Sequence, residues 1–256
     1  MKWHFDHPIL HIELNCEPCN EIGMSMLSFF EDFLQQAPLE NAKALIISSS
    51  NAKGFSAGAD LRSLYEGLTY EPKKSHKEKI ENFIDRIHHV LDTLDLLPIP
   101  VIAVTHGICF GGGFELALVA DIIIAEETTR FCFPELRLGL IPGFGGIPRL
   151  MREVSNQTIR DFLLTGRSIQ AKNLPSLVSQ VVPSGKGLGI AKKMALQMSK
   201  FDTNVVQIAK KFIKPEIKEK LHEEKALFIK MVLDPKVQKA LESFVQDTSQ
   251  QPYLPK

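Results

Sequence analysis

A run of three glycines, Gly111-Gly112-Gly113, between two apolar segments constrains this chain more than any other feature. Residues 101–104 before it read as a buried strand, and residues 114–120 after it read as a buried helix. Each glycine weakens a helix or strand interior by about 0.5–1 kcal/mol relative to Ala, so three together belong where something must approach the backbone closely. The place is also a helix N-terminus, whose free N–H groups point outward and whose dipole favours negative charge. Glu115 follows, a carboxylate in an otherwise apolar helix, and an unpaired buried carboxylate is costly. Two readings stand at this point. One is an anion-holding backbone beside an acid or base. The other is tight helix–strand packing with Glu115 turned to solvent.

Composition narrows the partners. The 256 residues suffice for one large domain or a domain with an appendage, and 44% hydrophobic content can build a full core. Thirty basic and thirty acidic residues cancel, which gives no support to a nucleic-acid or anionic-membrane partner. The N-terminal Met1-Lys2-Trp3-His4-Phe5-Asp6-His7 has no apolar core of signal-peptide length. The most apolar window, residues 101–125, holds His106, Glu115, Asp121 and the glycines, against a membrane span. Four cysteines do not make a disulfide framework here, and Cys16-x-x-Cys19 has no second pair for zinc. A soluble cytoplasmic protein without a metal is expected.

Taken in order, residues 2–7 and 9–14 read as strands around Pro8. Asn20 is a candidate cap for a helix with the stripe Ile22, Met26, Phe29, Phe30, Phe33 and Leu34, ended by Pro38. A short strand at 44–47 and a loop at 48–53 follow. Residues 66–74 read as a mobile polar loop. The capping box Ser75-His76-Lys77-Glu78 opens a helix through Ile80, Phe83, Ile84, Ile87, Leu91 and Leu94. Residues 122–125 read as a strand. Alternating strands and helices to about residue 183 mean an α/β core. From Gly185 onward only amphipathic stripes remain: Val205, Ile208, Ala209, Phe212 and Ile213, then Ile217, Leu221 and Phe228, then Val237, Ala240, Leu241 and Phe244. We therefore expect a core over 1–184 and a helical domain over 185–256, its stripes packed on the core or on another subunit.

Gly54-Phe55-Ser56-Ala57-Gly58 matches the G-x-S-x-G of a hydrolase nucleophile elbow, which needs its first glycine at the end of a strand. The loop at 48–53 separates Gly54 from the preceding strand and weakens that reading. Phosphate-loop patterns fail, because no Lys-Ser/Thr follows Gly107–Gly113 and no G-x-G-x-x-G opens a helix. A different constellation fits. The turns at Gly58-Ala59 and Gly111-Gly112-Gly113 both follow a strand and open a helix, so both offer free N–H groups. Two such donors converging on one point make an oxyanion hole. Two glutamates, Glu115 and Glu135, lie downstream in apolar settings. An oxyanion hole with two carboxylates is what enolate chemistry on a thioester needs.

These stretches carry a resemblance. Phe55-Ser56-Ala57-Gly58-Ala59-Asp60-Leu61 resembles the first motif of the crotonase family of enoyl-CoA hydratases and isomerases. His106-Gly107 through Gly111-Gly112-Gly113-Phe114-Glu115-Leu116-Ala117 to Asp121 resembles the second. Residues 133–146, Phe-Pro-Glu-Leu-Arg-Leu-Gly-Leu-Ile-Pro-Gly-Phe-Gly-Gly, resemble the third. The resemblance implies an α/β fold with a crotonase-like repeated β-β-α spiral core, a helical C-terminal domain, and a homotrimer or homohexamer. It implies a coenzyme A thioester as substrate, no further cofactor, and a carbonyl held by the N–H groups of Ala59 and Gly112. Glu115 would orient and deprotonate water, and Glu135 would deliver a proton to Cα, in hydration of a trans-2-enoyl-CoA. Ala57, Gly58, Asp60, Leu61, Gly111, Pro134, Gly143 and Phe144 would border the substrate, with Arg62 and Lys53 as candidates for its phosphates. Phe144 stands where many relatives have a small residue, and either narrows the acyl pocket or fills core. Isomerisation, another enolate reaction, and a non-catalytic binding protein such as an RNA-binding relative remain the alternatives.

Overall fold

The computed structural model describes residues 1–69 and 73–247. The chain opens with an antiparallel pair, β1 (Lys2–Asp6) and β2 (Ile9–Leu14), in which Trp3 faces Ile12 across the ladder. Helix α1 (Met24–Gln36) follows and buries Met26, Leu27, Phe30 and Phe33. One pattern then recurs three times, two strands and then helix. The first turn of it is β3 (Ala44–Ser49), β4 (Gly54–Ser56), α2 (Leu61–Thr69) and the long α3 (Lys73–Asp95). The second is β5 (Val101–Thr105), β6 (Ile108–Phe110) and α4 (Gly112–Ala117). The third is β7 (Ile122–Glu126), β8 (Arg130–Cys132), a 3-10 turn at Glu135–Leu138, α5 (Gly146–Glu153) and α6 (Asn156–Thr165). The strands β9 (Ile169–Gln170) and β10 (Gln180–Val182) close the core. Four helices end the described chain: α7 (Gly187–Met198), α8 (Thr203–Ile213), α9 (Lys218–Val232) and α10 (Pro235–Gln246).

In each repeat the first strand joins one sheet, ordered β1-β2-β3-β5-β7-β10, and the second joins another, ordered β4-β6-β8-β9. From β2 to β10 the larger sheet is parallel. A parallel sheet is covered on both faces, so its strands are apolar throughout, and Val-Ile-Ala-Val-Thr of β5 is wholly buried. Alternate side chains divide between the faces. Leu45, Ile47, Val101 and Ala103 enter the main core, whereas Ala44, Ile46, Ile102, Val104 and Ile124 pack under Ala191 and Ala195 of α7. This is the β-β-α winding that the three motifs imply.

Several local expectations need correction. Helix α1 starts at Met24 with Gly23 before it, and Asn20 is no cap. Asn20 instead sits at φ +51°, buried, accepting from Cys16 N and donating to Ser49 Oγ and Phe55 O. Much of the expected loop at 66–74 is helix, α2 to Thr69 and α3 from Lys73, while residues 70–72 lie outside the described ones. Ser75 therefore falls inside the first turn of α3 rather than before it. Helix α4 ends at Ala117, because Gly111 already turns the chain and only six residues wind before the descent to β7. Strands β4 and β6 escaped sequence reading because three residues carry no periodicity.

Helix α8 is turned inside out relative to an ordinary amphipathic helix. Its apolar Val205, Ile208, Phe212 and Ile213 are exposed, Phe212 at 89%. Lys210 at its buried side and Lys214, just past its end, reach inward instead. Lys210 Nζ lies 2.8 Å from Asp121, and Lys214 Nζ lies 2.9 Å from Asp121 and 2.7 Å from Asp95.

Candidate active site

The elements that follow β4, β6 and β8 meet at one cavity of about 260 Å³. Ala57, Ala59, Asp60, Leu61, Gly111, Gly112, Glu115, Pro134, Glu135, Gly143 and Phe144 all line it. Gly58 lies just behind, its carbonyl accepting from Ile22 N. The site residues named from sequence thus converge from three separate motifs, with two exceptions. Lys53 is an exposed partner of Glu17 at 3.8 Å, and Arg62 donates to Val245 O at 3.2 Å. Neither lines the cavity.

The two glycine turns come within touching distance. A Cβ on Gly112 would lie 3.3 Å from Ala59 N, and one on Gly58 would lie 3.1 Å from Gly112 N. Gly112 opens α4, so its N–H has no preceding carbonyl in the helix. Among the described residues, no backbone carbonyl outside the helices and strands accepts from either Ala59 or Gly112 N–H. Gly111 at φ +49° is the conformational requirement. It also leaves room for Glu135, whose Oε1 would be 2.6 Å from a Cβ there. Asp60, at the cavity wall, is also held by its own helix. It caps α2, accepting from Ser63 N at 3.0 Å and from Ser63 Oγ at 2.6 Å.

The second reading of Glu115, a solvent-facing side chain, is overturned. Glu115 is 2% exposed, and its Oε1 accepts from Phe144 N and Gly146 N, each at 2.8 Å. Burial pushes its carboxyl up to about 7, while those two N–H groups and the Arg149 guanidinium oppose the shift. Burial, and then the charge of Glu115, push Glu135 well above the usual carboxylate range. Its Oε2 has no hydrogen-bond partner among the described residues. Both carboxyls are pushed upward by burial, Glu115 held by two N–H donors and Glu135 raised further by the charge beside it. Such a pair can divide base and acid work.

Sequence reading missed two participants. Arg149 of α5 is wholly buried and donates to Phe144 O at 2.8 Å, beside Asp92 and Asp95. Glu224 of α9 is 4% exposed, accepting from Gly145 N at 2.7 Å and from Ile147 N at 2.9 Å. A signal for Glu224 did exist: it interrupts the apolar stripe between Leu221 and Phe228 at helical spacing. Ser56 is poorly placed for a nucleophile. It is fully buried, and its hydroxyl donates to Asn20 O at 2.6 Å. Phe144 both fills core and borders the cavity, its ring against Phe83 and Phe228 at centroid distances of 6.1 and 6.5 Å.

The chain is similar to known proteins along most of its length. The family model for enoyl-CoA hydratase/isomerase matches residues 4–252. The 2,3-dehydroadipyl-CoA hydratase of Escherichia coli K12 is 31% identical over 197 residues, 76% of this chain and 73% of its own. A probable enoyl-CoA hydratase of Mycobacterium tuberculosis is 31% identical over 212 residues, 82% of this chain and 76% of its own. The crystal structure of an enoyl-CoA hydratase from Bacillus halodurans superposes with a TM-score of 0.83 at 20% identity, covering 94% of this chain and 98% of that one. With its spiral β-β-α core, its paired N–H turns and two glutamates at one cavity, this chain belongs to the enoyl-CoA hydratase/isomerase family and is a hydratase-like enzyme.

Proposed function

We propose that the enzyme adds water across the double bond of a trans-2-enoyl-CoA, giving a 3-hydroxyacyl-CoA. The thioester carbonyl lies between the N–H groups of Ala59 and Gly112, which stabilise the oxyanion that develops there. Glu115 accepts a proton from water as the water oxygen bonds to Cβ. The C=C electrons move onto the thioester oxygen as an enolate. The enolate then collapses, and Cα takes the proton of Glu135. One proton has gone from water to Glu115 and one from Glu135 to carbon, so exchange with solvent restores the pair. The coenzyme A thioester is the substrate, and no separate cofactor takes part. The single observation behind this reading is that Glu115 and Glu135, both with carboxyls raised by burial, border one cavity beside the paired glycine turns.

The cavity has an apolar end lined by Ile80, Phe83, Ile84, Leu140 and Phe144, suited to an acyl chain. The core of residues 1–184 supplies both glutamates, and the helical unit from residue 185 onward covers them. The outward stripe of α8 supports assembly as a homotrimer or homohexamer, because exposed clusters of this kind mark interfaces. Four unpaired cysteines favour a reducing compartment such as the cytoplasm.

The test follows crotonyl-CoA by loss of its conjugated absorbance. Glu115→Gln and Glu135→Gln should each lower kcat by about 10²–10⁴-fold. Glu115→Gln should still exchange an α-proton of a saturated acyl-CoA in deuterated water, and Glu135→Gln should not. Hydration at the wild-type rate in either folded variant would sink the two-carboxylate mechanism.

A further inference from the structure

Helix α5 begins with a turn whose N–H groups have no helical acceptors, as at any helix N-terminus. Here four successive donors are divided between two carboxylates. Phe144 N and Gly146 N bond to Glu115 Oε1. Gly145 N and Ile147 N bond to the two oxygens of Glu224. The next residue, Pro148, has no N–H. The odd and even donors of one turn therefore face opposite sides, one side toward the cavity and one toward α9. Arg149 fixes the same turn from a third direction, through Phe144 O. Any rotation of the turn that releases Glu224 would also swing the Phe144 and Gly146 donors away from Glu115.

We propose that Glu224 is a positioning residue for the reaction, holding the 144–147 turn so that Glu115 keeps one orientation toward the cavity. The proposal rests on the reading of Glu115 as the group that handles water. It makes α9 part of the active-site machinery, not only a cover. A plain helix cap would instead contribute stability and leave the turnover of the folded enzyme untouched. Glu224 touches no substrate atom in this scheme. Its influence passes through peptide groups, and misplacement of a reacting group by about 1 Å costs on the order of 100-fold in rate. Burial and the charge of Glu115 both push the Glu224 carboxyl upward, so the clamp works against a desolvation cost that an ordinary surface cap does not carry.

The experiment measures kcat and KM for crotonyl-CoA hydration in Glu224→Ala, Glu224→Gln, Glu115→Gln and the double variant Glu115→Gln/Glu224→Ala, with thermal melting as the check on folding. Glu224→Ala should lower kcat by about 10- to 100-fold while KM changes by less than about threefold. Glu224→Gln keeps a carbonyl acceptor for one of the two N–H groups and should lose less. In the Glu115→Gln background, Glu224→Ala should remove no more than about another twofold, because its effect runs through the group already replaced. Wild-type kcat in folded Glu224→Ala overturns the proposal. So does a loss that multiplies in full in the Glu115→Gln background. If Glu224→Ala does not fold, wild-type kcat in Glu224→Gln with a lowered melting temperature overturns it equally. Full activity in Glu115→Gln alone removes the reading of Glu115, a result visible without any Glu224 variant.

Discussion

Glu115→Gln separates what this carboxylate costs the fold from what it contributes to the reaction. The amide carbonyl can take the place of Oε1 and accept from Phe144 N and Gly146 N, so packing is retained. What changes is ionisation. In the folded protein the Glu115 carboxyl titrates at about 7, against 4.5 as the ordinary value. Between those two pH values the folded chain keeps a proton that the unfolded chain has released. Stability therefore falls as pH rises through this window, and is flat with respect to this group above it. At about 1.4 kcal/mol per pH unit, the interval from 4.5 to about 7 amounts to about 3 kcal/mol. Gln cannot ionise, so the variant should match the wild type near pH 4.5 and exceed it by about 3 kcal/mol at pH 8. Urea unfolding at pH 5 and pH 8, at one protein concentration, measures the difference. The fluorescence of Trp3, the one tryptophan, packed edge-on against Phe33, reports the transition. A stability offset that does not change with pH would refute the reasoning, since it would mean that Glu115 is as well solvated folded as unfolded.

Three further outcomes follow from the geometry. Asp95→Ala should destabilise the protein by about 3–5 kcal/mol in denaturant melts, because it leaves Arg149, Arg152 and Lys214 facing one another without their shared buried carboxylate. Phe144→Ala should raise the preference for a six-carbon over a four-carbon enoyl-CoA by about 10-fold or more in kcat/KM, since the ring packed with Phe83 and Phe228 borders the cavity and its removal widens it; an unchanged ratio would assign the ring to packing alone. A fluorophosphonate should leave Ser56 unmodified, as its hydroxyl is buried and committed to Asn20 O, and stoichiometric labelling there would reopen the hydrolase reading.

The amino-acid sequence by itself determined which stretches were candidates for chemistry. Three glycines beside Glu115 point to a close approach to the backbone, and Pro134-Glu135 repeats the theme of a carboxylate in an apolar run. These are local signals: a backbone that must accept close approach, and a charge that must be used or paired. The long buried strands β3, β5 and β7 were legible for the same reason, as continuous apolar runs bounded by turns. Only the tertiary structure decided which way Glu115 points, because solvent and cavity are both open to a residue on a six-residue helix. Only the tertiary structure showed that α8 carries its apolar stripe outward, for the helical period reads the same whichever side is inward, and the choice came from Lys210 and Lys214 reaching Asp121 and Asp95. The partnership of Glu224 with the turn at 145–147 joins residues 77 and 79 positions apart. No spacing rule reaches that far, since the distance along the chain between two groups says nothing about the distance across a packed core.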